Sequence, residues 1–434
     1  MSYSVNEENL LLAAEKWCSE RLSKASISEV EDAITQMTRK LSEHMVNAYA
    51  ENLDPRATYE GMRIECKCGG EAVFKGYRRR WIRTICGDIK PKRAYYYCPH
   101  CHTGISPWDG EQGLDGRVWS PGVKSIVSEC CARLTYSEVS TLLSRVLGLD
   151  VEESSQQDIV ADVGQRLREA DACNIENCFD EDVEIVVERS PNRLYICVDA
   201  AKAHTDGAWH DIKTGVIFEG ERPSATSKLL RDNMVNAVYV AAQEGCDAFG
   251  RRVYAQAVLS GLRRAGEVVI LGDGAEWIWN LVSTHFPGCV QILDYYHACE
   301  HIWELAGVIY GKDTPACKRW AKDHCNRLEE YGPRSLLRSL RRRKGKTEEQ
   351  REAIRLQLGY FEDHKERMNY PAYKAKAMMI GSGPVESACK IVVNQRLKQA
   401  GMRWTKEGAD SILALRTAVL SEQTERIQHI AKAA

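Results

Sequence analysis

No apolar run in this 434-residue sequence approaches the ~20 residues that a membrane-spanning helix requires. A signal-peptide pattern is also missing. The opening MSYSVNEENLLLAAEKW carries acids where a basic stretch would stand, and no long apolar segment follows them. These absences lead to the expectation of a cytoplasmic protein, associated with the nucleoid if it binds DNA. Seventeen cysteines, an odd number, are scattered widely, with Cys130, Cys131 and Cys389 in expected core helices. Without export signals they read as reduced thiols or metal ligands and not as a disulfide framework. An excess of positive charge is lacking as well: 59 Lys and Arg against 61 Asp and Glu give a net −2. That balance runs against a dedicated nucleic-acid binder.

The average conceals a segregated charge pattern. Residues 61–105 hold ten basic side chains against Glu65, Glu71 and Asp88, and residues 334–346 hold seven with no acid. Residues 150–188 are acidic and pull the total back toward zero. The length implies two to four domains.

Residues 5–50 read as helical, with apolar spacing through Leu10, Leu11, Ala14, Trp17 and Leu22, until Asn52-Leu-Asp-Pro55 breaks the pattern. This arm either packs on a neighbour or dimerises. From Ile64 short alternating strands (EAVFKGY, RRWIRTIC, RAYYYC) lie between Cys66-Lys-Cys68-Gly-Gly70 and Cys98-Pro-His-Cys101. Two cysteine pairs brought together by a β-hairpin of ~30 residues make a zinc ribbon, with four thiolates completing a tetrahedron. The first knuckle has a one-residue spacer, so His100, His102 or Cys86 stands as an alternative ligand; two buried clusters of free cysteines are the bland alternative. The basic hairpin, with Arg78, Arg79, Arg80 and Arg83 around Tyr77 and Trp81, suits phosphate contact or is a solvated face.

Residues 119–170 have a helix–turn–helix pattern, with a first helix ending near Gly148 and a second capped at Ser154 or Ser155. Its acids and glutamines suit a DNA groove poorly, which leaves a purely structural helix pair as the other reading. After Pro191 strands and helices alternate. Strands are expected at Arg193–Asp199, Trp209–Lys213, Val216–Glu219, Ala237–Ala242, Glu267–Asp273 and Val290–Asp294, with helices at Gly245–Arg264 and Ala275–His285. Antiparallel strands followed by strand–helix repeats are the ribonuclease-H-like order of a mixed α/β sheet. Trp277, Trp279 and Trp303 read as core residues.

Two strands end in acids, Asp199 and Asp273, and Glu386 falls in the first turn of a helix started by Gly383-Pro384. One strand-end aspartate is ordinarily a turn former. Three carboxylates converging on one point repel each other unless cations lie between them, and two hard divalent ions, Mg²⁺ or Mn²⁺, would resolve that conflict and support phosphoryl transfer.

The phrases LGDGAEWIWNL, DYYHACEHIWELA, GSGPVESACK and RLKQAGMRW, with the CPHC knuckle, resemble insertion-sequence transposases of the Kra type, in the bacterial Mutator-like superfamily. The resemblance covers about Ile64 to Arg416. It implies that Asp199, Asp273 and Glu386 form a DDE triad, that Asp294 and His297 are the Asp-x-x-His signature, and that an all-helical insertion precedes the glutamate. One turn after Asp294, His297 reads as a group near the scissile phosphate or one that orients a carboxylate, with a core histidine capping a helix as the alternative. The expected organisation is a helical arm (1–60), a zinc ribbon (61–110), a helical DNA-binding segment with an acidic connector (111–188), a ribonuclease-H-like core (189–297), an all-helical insertion (298–379) and core helices carrying Glu386 (380–434). Arg341, Arg342 and Arg343, with Lys398 and Arg403, join the ribbon arginines as candidates for DNA contact. The expected activity is cleavage at element ends and joining of the 3′-hydroxyl to target DNA, by a homodimer or higher oligomer on double-stranded DNA. A nuclease that only hydrolyses and a catalytically idle, zinc-dependent DNA-binding regulator are the alternatives.

Overall fold

Ser26 separates two N-terminal helices, α1 (Ser4–Arg21) and α2 (Ile27–Asn52), in a computed structural model that describes residues 4–22, 24–114, 118–220 and 234–433. The Ser26 hydroxyl accepts from the Glu29 amide, and the Glu29 carboxylate accepts from the Ser26 amide at 2.8 Å. This reciprocal cap corrects the expectation of continuous helix over 5–50. The chain folds as two compact units. One comprises residues 1–125, 143–150 and 431–434; the other comprises 126–142 and 151–430.

In the first unit, β1 (Arg63–Glu65), β2 (Glu71–Arg79), β5 (Lys92–Tyr97) and β6 (Gly104–Ile105) form an antiparallel sheet in the order β1-β2-β5-β6. The hairpin of β3 (Ile82–Thr84) and β4 (Gly87–Ile89) is separate. Tyr96 is fully buried, with the Phe74 ring edge-on to it at 5.5 Å. Helix α3 (Pro107–Glu111) follows, then α4 (Pro121–Arg133), α5 (Tyr136–Leu147) and α6 (Glu153–Phe179).

Helix α6 starts at a Glu152 cap, which puts Ser154 and Ser155 inside the helix and corrects the expected cap. Acids at this end favour the helix dipole without a side-chain cap bond. The helix continues through much of the expected acidic connector. Gln156 is fully buried, and its amide donates to Ser140 Oγ (2.6 Å) and the Val151 carbonyl (2.9 Å).

The second unit is built on a mixed α/β sheet of β7 (Arg193–Thr205), β8 (Ala208–Glu219), β9 (Val235–Ala242), β10 (Glu267–Gly272) and β11 (Val290–Leu293). The spatial order is β11-β10-β7-β8-β9. Strands β7, β8 and β9 pair antiparallel, whereas β10 and β11 run parallel to β7. The expected strands at 209–213 and 216–219 are one strand, β8. It is joined to β7 by Asp206-Gly207, both with positive φ (49° and 82°), the two-residue hairpin turn that an Asp-Gly pair favours. The third antiparallel strand is therefore β9. Residues 194–198 of β7 and 269–272 of β10 are buried and apolar, as central strands covered on both faces must be. Tyr195 stacks on Phe218 with centroids 5.2 Å apart.

Helices α7 (Cys246–Leu259) and α8 (Glu276–His285) connect the later strands. Left-handed Gly261 (φ 95°) ends the first of these before Arg264, and a short 3-10 turn completes the span. From Tyr295 the chain is helical: α9 (Tyr295–Tyr310), α10 (Pro315–Tyr331), α11 (Pro333–Arg342), α12 (Glu348–Asp363) and α13 (Tyr370–Ala375). Side-chain caps Thr314 and Thr347 and left-handed Gly332 punctuate them. Trp279 is core and Trp277 half-buried, but Trp303 is 42% exposed, which corrects its assignment to the core.

The last elements are α14 (Gly383–Ala388), a π-helical stretch Cys389–Asn394, α15 (Gln395–Leu397), α16 (Lys406–Leu420) and α17 (Thr424–Lys432). Ala203 and Ile212 of the sheet form a small core with Val392, Val393, Leu397, Ala409 and Leu413. This core fixes the C-terminal helices against the β7–β8 pair. Fully burying one such aliphatic side chain contributes roughly 1.5–3 kcal/mol.

Candidate functional site

Strand pairing sets two acids side by side. Cys197 pairs with Leu271 across parallel β7 and β10, so Asp199 and Asp273, each two residues on, stand at one level. Asp273 follows β10 directly, but β7 runs on to Thr205 with Asp199 paired to Thr214 of β8, which corrects the expected strand end at Asp199. Asp199 Oδ1 accepts from the Ala200 amide (2.6 Å), and Asp273 Oδ1 accepts from the Ala275 amide (2.8 Å). Burial pushes the Asp199 carboxyl above its ordinary range, and the Asp273 charge adds to this against the lowering Ala200 bond.

The third acid arrives on α14. Glu386 is exposed in its first turn, and Ser382 Oγ lies 3.3 Å from its Oε1. One turn later Cys389 is buried, with Sγ donating to Asp199 Oδ2 at 3.6 Å. Burial, then the Asp199 charge, pushes the thiol up to about 12. The π-helical stretch starts at this cysteine; such widened turns often occur at functional sites. The sequence pattern marks Cys389 only as core. Its contact with Asp199 depends on a fold that places residues 190 positions apart together, and nothing local signals it.

Asp294 follows β11 directly and is almost fully buried. Its Oδ1 accepts from the Tyr296 (2.6 Å) and His297 (3.2 Å) amides, so it caps α9. Its Oδ2 accepts from the Ser382 amide (2.8 Å) and, closer still, from the Ser382 hydroxyl. Both oxygens are occupied, and together they tie β11 to the segment that delivers Glu386. His297 is half-buried, with Nδ1 3.2 Å from Glu300 Oε2 and its ring edge-on to His301 at 4.9 Å. From α12, Tyr360 reaches Gly274 beside Asp273, a contact that sequence spacing does not signal.

In the other unit, Cys66, Cys68, Cys98 and Cys101 place their sulfurs within 4.8 Å of one another and could hold a metal ion. Cys66 and Cys101 are 3.6 Å apart, and Cys68 and Cys98 are 3.7 Å apart. A tetrahedron with metal–sulfur bonds of about 2.3 Å needs sulfurs about 3.8 Å apart, so the thiols fit a metal before any rearrangement. The short first spacer is accommodated by Gly69 (φ 79°), whose amide donates to the Cys66 carbonyl at 2.8 Å. Of the alternative ligands, His102 directs Nδ1 to the Tyr97 hydroxyl (2.9 Å), and Cys86 lies in the β3–β4 turn. His100 packs its Cβ against Gly70. Among the described residues this is the one set of three or more His, Cys, Asp or Glu side chains gathered closely enough to hold a metal as they stand. Asp199, Asp273 and Glu386 do not form such a set; Cys389, which donates to Asp199, follows Glu386 by three residues and connects the strand acids to α14.

The candidate DNA-contacting residues divide into two kinds. Arg80 pairs with Asp109 at 2.6 Å, and Arg93 grips the same carboxylate at 2.8 Å. Arg80 is therefore a structural residue, contrary to expectation. Arg343 folds onto Tyr310, with a 2.5 Å bond to its hydroxyl, and lies over the Tyr310 and Trp320 rings. Arg78 lies over the Tyr95 ring (3.8 Å), Arg79 donates to the Lys90 carbonyl (3.1 Å), and Arg341 pairs with Glu362 (3.0 Å). Arg83, Arg342, Lys398 and Arg403 are exposed; Arg83 lies over Trp119 and Lys398 over Trp209. On α11, Arg334, Arg338 and Arg342 recur every fourth residue, all exposed, opposite buried Leu336, Leu337 and Leu340.

A cavity of about 990 Å³ lies elsewhere, along β9 and between α6, α7 and α16. Six of its charged side chains form the pairs Arg252–Glu244, Lys406–Asp410 and Arg426–Asp171. Asp199, Asp273 and Glu386 do not line it, so it is separate from the candidate site. No helix among the described residues is long and apolar enough to cross a membrane. Residues 22–432 match the uncharacterised protein family UPF0236. A protein of Streptococcus gallolyticus described as the UPF0236 protein in the vanSb 3′ region is 24% identical over 432 residues, covering 95% of this chain and 85% of that protein.

Proposed function

Because the chain belongs to the uncharacterised protein family UPF0236, its function has to be argued from the site, and we propose a DDE-type DNA transposase with a ribonuclease-H-like core. One observation carries this reading: Asp199 within β7 and Asp273 just past β10 stand level on adjacent parallel strands, in a sheet whose first three strands are antiparallel, and Glu386 arrives on a late helix across an all-helical segment. Numbered within this sheet, the order is 3-2-1-4-5, with strands 1, 4 and 5 parallel, which is the arrangement expected of a ribonuclease-H-like core.

Asp199, Asp273 and Glu386 would hold Mg²⁺ or Mn²⁺. The donors fit: all are hard carboxylate oxygens, and among the described residues they meet amides, a thiol and a hydroxyl at hydrogen-bond distance. When bound there, a divalent ion supplies charge neutralisation and Lewis acidity for phosphoryl transfer. The chain's own part is positioning. The β7–β10 register fixes two acids, Ser382 links Asp294 to Glu386, and Cys389 orients the far oxygen of Asp199. In the chemistry, a water oxygen forms a new P–O bond at an element end as the old 3′ P–O bond breaks. The freed 3′-hydroxyl oxygen then does the same at target DNA. The four-cysteine cluster is assigned to Zn²⁺ in a ribbon, and the exposed arginines of β2 and α11 to phosphate contact with double-stranded DNA by a dimer or larger assembly.

The test is incubation of the purified protein with Mg²⁺ and a plasmid carrying the coding sequence with its flanking DNA. Cleavage at discrete flanking positions with joining to a second plasmid supports transposition, and cleavage alone supports the hydrolytic nuclease. DNA binding with neither supports the idle regulator.

A further inference from the structure

In the first unit, one face of a hairpin gathers an exposed indole and several cations. The Arg80 amide donates to the Pro91 carbonyl (3.2 Å), which carries the β2–β5 register on into the β3–β4 pair. Arg79 thus stands opposite Lys92, Trp81 opposite Lys90, and Ile82 opposite Ile89. Side chains alternate between the two faces of such a ladder. On the inner face Ile82 and Ile89 are buried in a core with Trp108 and Leu114, Pro91 is buried, and Arg80 and Arg93 grip Asp109. Trp81 lies between the anchored Arg80 and Ile82, so it is held outward, and it is 55% exposed.

The outer face sets positive charge around this ring. Lys90 Nζ lies 4.9 Å from the Trp81 ring centroid, and Arg79 donates to the Lys90 carbonyl at 3.1 Å, which draws its side chain toward the same pair. Lys92 is exposed opposite Arg79, and Asp88 follows on the same face, 4.0 Å from Arg83. A face that only gripped phosphate would need no indole. A protein-docking face is ordinarily depleted in lysine. Cations that track a backbone beside a fixed aromatic ring suit single-stranded nucleic acid, because an unpaired base offers a π-face that stacking covers in a duplex. We propose that Trp81 is a stacking platform for an unpaired DNA base, with Arg79, Lys90 and Lys92 on the flanking phosphates. The partner is thus DNA with locally separated strands. The inference rests on the DNA-binding part of the reading above and not on cleavage.

The test uses the full-length protein without added Mg²⁺, so that nothing is cut, and three labelled DNAs: a single strand, its matching duplex, and the same strand with abasic positions throughout. Trp81→Ala should weaken binding of the single strand roughly five- to hundredfold, the range for losing one stacked base, and of the duplex much less. The abasic strand keeps its phosphates, so it should bind the unaltered protein and Trp81→Ala alike. Trp81→Phe keeps a ring and should recover most of the loss. Lys90→Ala and Lys92→Ala should each reduce the slope of log affinity against log salt for the single strand by about 0.7, whereas Trp81→Ala should leave that slope unchanged. Single-strand binding by Trp81→Ala equal to that of the unaltered protein, or an equal loss on all three DNAs, overturns the platform while DNA binding stands. Loss of self-association in Trp81→Ala with DNA binding intact assigns the face to a second copy and overturns it as well. Failure of the unaltered protein to bind any of the three overturns the DNA-binding reading and this platform with it.

Discussion

Asp294 accepts from both the amide and the hydroxyl of Ser382 and so ties the end of β11 to the segment that presents Glu386. The same serine hydroxyl lies 3.3 Å from Glu386 Oε1. Asp294→Asn should be worse than Ser382→Ala, because an amide nitrogen turned toward the Ser382 donors leaves buried groups opposed, whereas alanine removes one partner cleanly. Bonds to a buried charge contribute about 1.5–3 kcal/mol, and denaturant unfolding should show a loss of that order for Asp294→Asn and a smaller one for Ser382→Ala. Equal stabilities of both variants and the unaltered protein would mean that this pair locks nothing.

Asp199 gives a pH-dependent prediction. Its carboxyl titrates above its unfolded value, so the group favours the fold below the unfolded value and loses that contribution as pH rises through the folded one. In metal-free protein at pH 7 the buried charge is a liability, and Asp199→Asn should raise the thermal midpoint by roughly 1–3 °C. The gain should vanish as the pH falls below the carboxylate range. Mg²⁺ should raise the midpoint of the unaltered protein and not of the variant. A midpoint for Asp199→Asn at or below that of the unaltered protein at pH 7 counts against a strained carboxylate.

Two glycines test the helix packing. A Cβ on Gly164 of α6 would lie 2.6 Å from Ser411 Cβ and 2.8 Å from its backbone, whereas one on Gly359 of α12 meets nothing within 4 Å. Gly164→Ala should destabilise by about 1–3 kcal/mol. Gly359→Ala should stabilise by up to about 1 kcal/mol through helix propensity alone. Denaturant midpoints that move in the same direction for both would contradict the close approach of α6 to α16.

Local signals in the sequence carry much of this architecture. The acid after β10, the CPHC knuckle and the helical texture of 298–379 are readable because each depends on a few neighbouring residues, whereas β7 runs six residues past the strand end expected at Asp199. Some misreadings are also local: Ser26-x-x-Glu29 and Asp206-Gly207 are legible cap and turn signals that an averaged pattern passes over. What stays hidden depends on tertiary contact. Trp303 is as apolar as Trp279, and only packing exposes one and buries the other. Arg80 looks like its neighbours Arg78 and Arg79 until Asp109 arrives from α3. Cys389 and Tyr360 gain their places beside the acids only when distant helices close on the sheet.

Metal chemistry should separate into two classes. Each chain should carry one tightly held zinc through Cys66, Cys68, Cys98 and Cys101, and Cys98→Ser should lower the zinc count and destabilise residues 61–105. Mild EDTA should stop DNA cleavage without removing that zinc, and Mg²⁺ or Mn²⁺ should restore it. Restoration by zinc and not by magnesium would move the candidate active site to the cysteine cluster.

Salt dependence of DNA affinity should distinguish arginines that bind phosphate from those that hold the fold. Arg342 is exposed on the α11 face that also carries Arg334 and Arg338, whereas Arg80 is anchored in the Asp109 pair with Arg93. Removing one phosphate-binding side chain should reduce the slope of log affinity against log salt by about 0.9. Arg342→Ala should therefore flatten the slope by close to that amount and leave stability within about 0.5 kcal/mol of the unaltered protein. Arg80→Ala should behave in the opposite way. It leaves Asp109 with Arg93 as its remaining charge partner in a largely buried site, so stability should fall, and among properly folded molecules the slope should hardly change. Measuring both quantities on both variants checks the assignment, because a phosphate-binding arginine moves the slope and a fold-holding arginine moves the melting point. If Arg80→Ala flattened the slope without loss of stability, its pairing with Asp109 would have to open on DNA, and Arg80 would join Arg78 and Arg79 in the DNA-contacting set.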